Sequence, residues 1–135
     1  IQEGDCGEYW GVAGGSFEIP ATPFKDGFIY DPAGPKRLFN QNSKAGRWCM
    51  KRGDPEKPTG EWNTIDLYCF NDQAVHVVNG VVVMVLHRSS QLEKDKLIPL
   101  THGKIQIQSE GAEVYYRNIQ VEKINKIPPA LLQTK

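Results

Sequence analysis

Apolar positions in this chain recur with a period of two, most clearly in three segments between residues 60 and 121. They read GEWNTIDLYCF, VHVVNGVVVMVL and GKIQIQSEGAEVYYRNIQV. Such alternation lets one face of a strand bury against a core. Helical spacing is nearly absent, and 13 glycines and nine prolines fall mostly between short β-prone runs. The pattern predicts an all-β sandwich or barrel. Strands are expected at 8–12, 16–20, 28–30, 36–39, 47–51, 65–70, 74–78, 81–86, 103–108 and 113–123. Asn79-Gly80 sits between two valine-rich runs and signals a hairpin, because both residues tolerate positive φ. A two-residue turn there pairs Val78 with Val81 and puts His76 on the face of Val81 and Val83. Both faces are apolar, so this hairpin is expected to be central in its sheet. Residues 21–58 read as a long polar stretch with weak strands, the kind of region that carries or covers a site. Residues 89–96 read as a charged linker, and residues 127–135 as a poorly ordered tail behind Pro128-Pro129.

Composition narrows the function classes. With 135 residues the chain is one domain, and its 16 basic and 16 acidic side chains cancel. No net field and no basic run draws it to nucleic acid or anionic lipid. No apolar run approaches the roughly 18 residues of a membrane-spanning helix. The chain opens on Ile1 without a signal peptide, and is expected to be a processed or truncated product. Cys6, Cys49 and Cys69 cannot all pair within one chain; one disulfide with a free thiol and three free thiols both fit.

Polar residues at positions that a sheet would fill with apolar ones are the candidate chemistry, since they cost free energy unless hydrogen-bonded or used. His76 interrupts a strand of valines: either a hydrogen-bonded core histidine or a proton-transfer group, sugar hydrogen bonder or metal ligand. Glu3 and Asp5 lie two apart and can share a face, as paired carboxylates do around an anomeric carbon. The plainer alternative makes Asp5 the cap of the Gly4-Asp5-Cys6-Gly7 turn and Glu3 a solvated strand residue. Gln108 can reach sugar hydroxyls, and Glu110 is a third carboxylate or a turn residue before Gly111. Arg117 can hold an anion by forked donation, or brace the sheet through an ion pair. Tyr9 and Trp10 offer aromatic faces for a pyranose ring; Trp62 reads as a structural plug.

In order along the chain, Q-E-G-D-C-G-E-Y-W at 2–10, P-T-G-E-W-N-T at 58–64, H-V-V-N-G at 76–80, G-K-I-Q-I-Q-S-E-G at 103–111 and Y-R-N-I at 116–119 resemble the 3-keto-disaccharide hydrolase domain family. The resemblance implies a concanavalin-like jelly-roll β-sandwich of two antiparallel sheets, related to family 16 glycoside hydrolases. The family's usual opening strands are not matched. Residues 1–126 are therefore expected to be the C-terminal two-thirds of one such domain, with its missing strands supplied by a cleaved companion segment or a second copy, or absent from this sequence. The implied activity is cleavage of glycosidic bonds in 3-keto-glycosides within a concave groove. Glu3, Asp5, His76 and Glu110 are its proton-transfer candidates; Tyr9, Trp10, Gln108 and Arg117 are its substrate contacts. A carbohydrate substrate, a divalent metal polarising the ketone, and a periplasmic or extracellular setting are further implications. A noncatalytic carbohydrate-binding module and a protein-interaction domain using residues 21–58 are the rival readings.

Overall fold

The computed structural model describes residues 4–107, 109, 111 and 113–132. Its strands are β1 (Tyr9–Trp10), β2 (Gly15–Phe24), β3 (Gly27–Tyr30), β4 (Lys36–Phe39), β5 (Trp48–Cys49), β6 (Ile65–Phe70), β7 (Gln73–Val78), β8 (Val81–Glu93) and β9 (Lys96–Pro99). They form two antiparallel sheets, a β1–β5 ribbon and a seven-stranded sheet, consistent with a jelly-roll β-sandwich. In the larger sheet β3, β2, β8, β7 and β6 are successive neighbours, with β4 on β2 and β9 on β8. Its two long strands change partners midway. β8 pairs with β7 over Val81–Leu86 and with β9 over Ser90–Glu93, while β2 passes from β8 and β4 to β3.

Turn chemistry sets the register. Two-residue turns close the hairpins at Lys25-Asp26, Asn71-Asp72, Asn79-Gly80 and Lys94-Asp95, fixing Phe24 opposite Gly27, Phe70 opposite Gln73, Val78 opposite Val81 and Glu93 opposite Lys96. Asn79 and Gly80 both take positive φ, 50° and 79°, as a turn matching strand twist requires. The β7–β8 hairpin lies inside the sheet, flanked by β6 and β2. A bulge sits between His76 and Val77: His76 opposes Met84 while Val77 opposes Val82, leaving Val83 as the extra residue. The core gathers Ile19, Tyr30, Phe39, Val75, Val77, Met84 and Leu86, with a smaller cluster of Cys6, Val78 and Val83 beside it.

Three expectations change. The span 89–96 is a hairpin rather than a linker: β8 continues because Ser90 is buried, its hydroxyl donating to the Arg88 carbonyl at 3.2 Å. The described residues of 103–107 and 113–123 form no strand. Their alternating side chains are exposed, Ile105 to 74% and Val121 to 79%, and the pattern finds no neighbouring strand to pair with. The described residues after Lys126, 127–132, are anchored, since Ile127 is buried and Leu131 packs on the core within a short helix, α1 (Pro129–Leu132).

Candidate functional site

The turn at residues 4–8 lies over the small cluster of β7 and β8, and it joins the sequence candidates to groups the pattern did not single out. Gly7 sits at φ +90°, and a Cβ there would fall 2.6 Å from Val83 Cγ2 and 3.0 Å from Val78 Cγ2. Only glycine lets the backbone approach the valines this closely. That approach brings the Gly7 carbonyl to 2.8 Å from His76 Nδ1. A carbonyl can only accept, so Nδ1 carries the proton and the lone pair of the neutral ring is on Nε2. No buried side-chain nitrogen or oxygen among the described residues lacks a partner. Nε2 makes no hydrogen bond among the described residues. Burial pushes the imidazole pKa below its usual value, against the upward pull of the Gly7 carbonyl. His76 is thus held neutral, in one tautomer, with its lone pair on Nε2.

Next to Gly7 in sequence, Glu8 is half-buried and accepts the Trp48 indole N–H on Oε2 at 2.6 Å. Burial raises the Glu8 pKa; the indole N–H opposes this and the neighbouring Asp5 charge adds to it. Asp5 lies in the same turn, where its carbonyl accepts the Glu8 N–H at 3.1 Å. Trp48 is opposite Trp10 in the β1–β5 ribbon, the rings tilted by 30° with centroids 5.5 Å apart. Trp10 is 50% exposed, so the pair presents an aromatic surface next to the carboxylate. Tyr9 faces the other way. It is buried, edge-on to Phe17, with its hydroxyl donating to the Phe39 carbonyl at 3.4 Å, and so offers no ring to a ligand.

An ion pair ties the turn to the loop following β5. Lys51, almost fully buried, reaches Glu56 Oε2 at 3.1 Å and also bonds the Gly4 carbonyl. Glu56 accepts the Gly4 N–H on Oε1 at 3.2 Å and the Cys6 N–H on Oε2 at 3.1 Å. Burial alone would raise the Glu56 pKa, but the Gly4 N–H, Lys51 and the Cys6 N–H outweigh it and hold the carboxyl below its usual range. The same loop is strapped to the β7–β8 turn: the Asn79 amide donates to the Pro55 carbonyl at 2.8 Å and to Asn63 Oδ1 at 2.7 Å.

Of the sequence candidates, His76 bonds the turn that contains Asp5, and Trp10 packs on Trp48, the partner of Glu8. Arg117 is stacked over Trp62 at 3.9 Å, a cation–π contact rather than an ion pair, and Trp62 is exposed rather than a plug. Glu3, Gln108 and Glu110 lie outside the described residues. Among the described residues no group of three or more metal-ligating side chains converges. All three cysteines are free thiols; Cys6 and Cys49 are buried and Cys69 is exposed. Glu8, Trp48, Lys51 and Glu56 escaped the sequence reading. For Glu8 the one available signal was its place directly before the Tyr9-Trp10 pair.

The 3-keto-alpha-glucoside-1,2-lyase-like domain matches residues 4–122, and the chain belongs to that family. No curated protein and no solved structure matches the chain. The family ties the protein to carbohydrate-related function.

Proposed function

We propose that this protein cleaves the glycosidic bond of 3-keto-glucosides by base-assisted elimination, with His76 as the base. The observation carrying this is the single tautomer of His76, fixed by the Gly7 carbonyl, which leaves the basic lone pair on Nε2. A ketone at C3 acidifies the C2 proton. His76 Nε2 removes that proton, and the C2–H electron pair forms an enolate with C3. The enolate collapses to a C1–C2 double bond as the C1–O bond breaks, and the leaving oxygen takes a proton. Glu8 is the proposed donor, because burial keeps its carboxyl protonated to higher pH than usual and it adjoins the residue bonded to His76. Water adding across the double bond afterwards completes a net hydrolysis. Asp5 adds the negative charge that favours the protonated form of Glu8. Glu3 and Glu110 remain candidates for the same transfers, and Gln108 and Arg117 for hydroxyl or enolate contacts. A periplasmic or extracellular setting belongs to the same proposal.

The test is turnover of a methyl 3-keto-glucoside against its unoxidised parent, followed across pH. Only the ketone activates C2, so cleavage of the keto sugar and none of the parent is expected. Activity should rise as pH climbs through the His76 value, which lies below 6.5, and fall as Glu8 loses its proton above 4.5, giving an optimum on the acid side of neutrality. Equal cleavage of both sugars, or an alkaline optimum, would sink the mechanism.

The Trp10–Trp48 pair also favours a second reading, a noncatalytic sugar-binding module. Trp10→Ala is expected to raise KM for the keto-glucoside about tenfold, as loss of one stacking contact implies, with kcat within about twofold. Binding of the parent glucoside with no turnover of either sugar would select the binding module instead.

A further inference from the structure

We propose that the Lys51–Glu56 pair is a positioning device for His76, selecting its tautomer by holding the 4–8 turn against the sheet. This rests on the reading of His76 as the base. Glu56 receives both backbone N–H groups that flank Asp5, from Gly4 at 3.2 Å and Cys6 at 3.1 Å, and Lys51 bonds the carbonyl of Gly4. The turn is thus gripped at donors and acceptor alike by one ion pair, from a loop some 50 residues away. The carbonyl that meets His76 belongs to Gly7, the residue directly after Cys6 and two past Asp5.

The chemistry makes the grip directional. A carboxylate accepts two N–H bonds; a glutamine of the same shape turns one of its two heads into a donor and repels one of them. Releasing either N–H lets the turn lift, and the Gly7 carbonyl leaves Nδ1. Without that acceptor the ring is free to move its proton to Nε2, which takes the basic lone pair from that nitrogen. A device that only stabilised the fold would have no such consequence. The pair contains no group that touches the reacting atoms, so it acts through His76.

The experiment is Glu56→Gln on the full chain, with the His76 tautomer read from its ring ¹⁵N shifts by long-range proton–nitrogen correlation. Wild type is expected to show Nδ1–H alone. Glu56→Gln should show a mixture of tautomers and a loss in kcat of about tenfold or more on the 3-keto-glucoside, with KM little changed. Should Glu56→Gln not fold, Glu56→Asp withdraws the carboxylate by one methylene and gives the same readout. Val75→Ala, which loosens the main core away from the turn, serves as the comparison: it should lower Tm and leave the tautomer as in wild type. An unchanged Nδ1–H signal in Glu56→Gln, or an equal shift in Val75→Ala, overturns the inference. A tautomer change with no activity in wild type on any 3-keto sugar supports the positioning device and overturns the assignment of His76 as base.

Discussion

His76→Asn is expected to abolish most turnover while leaving the protein folded. The asparagine amide can still donate to the Gly7 carbonyl, which His76 Nδ1 meets at 2.8 Å. What it lacks is a basic nitrogen. Loss of a positioned general base costs about 10²–10⁴ in rate, so kcat on a 3-keto-glucoside should fall within that range. KM should change little, because the aromatic contacts of Trp10 and Trp48 are untouched. His76→Ala removes the donor as well as the base, and should add a loss of stability from the unpaired carbonyl, about 1–3 kcal/mol. The two variants together separate chemistry from architecture. If His76→Asn keeps more than a tenth of the wild-type kcat, the base lies elsewhere, with Glu3 or Glu110 next in line.

How much of this was legible in the chain depends on how far apart the interacting residues are. The Asn79-Gly80 turn, the Val78–Val81 register and the central place of the hairpin were all readable, because turn chemistry and alternation are local signals. Alternation failed in two directions. It says which face a strand could bury but not whether a neighbouring strand exists, so 103–107 and 113–123 looked like strands and form none among their described residues. It also stopped at Leu86, because the hydroxyls of Ser89 and Ser90 look like a loop, whereas the buried Ser90 satisfies its hydroxyl on a backbone carbonyl. The site divided in the same way. His76 stood out because a polar residue among valines is conspicuous locally. Glu8, Lys51 and Glu56 did not, since their roles come from partners 40 to 52 residues away in the chain. The bulge that makes Val83 the extra residue was equally invisible, as it depends on what β7 presents opposite it.

Gly7→Ala is expected to be the most damaging small substitution in the turn, and to damage stability and turnover by separable routes. The new Cβ meets Val83 Cγ2 at 2.6 Å and Val78 Cγ2 at 3.0 Å, and both valines belong to a packed cluster with little room to yield. Overpacking of this kind costs about 1–3 kcal/mol. The φ of +90° adds strain that an L side chain does not relieve, so a total of about 2–4 kcal/mol is expected, or roughly 10 °C in Tm. Val83→Ala in the same chain opens space for the new methyl and should return part of the lost Tm, leaving the φ strain behind. Turnover should respond differently. Any lift of the turn moves the Gly7 carbonyl away from His76, so kcat falls with the single substitution and recovers only as far as the turn settles back. Thermal unfolding and keto-glucoside kinetics on Gly7→Ala, Val83→Ala and the double variant measure both effects. A Gly7→Ala protein with wild-type Tm would mean that the turn does not press on the valines, and the contact that fixes His76 would lose its physical cause.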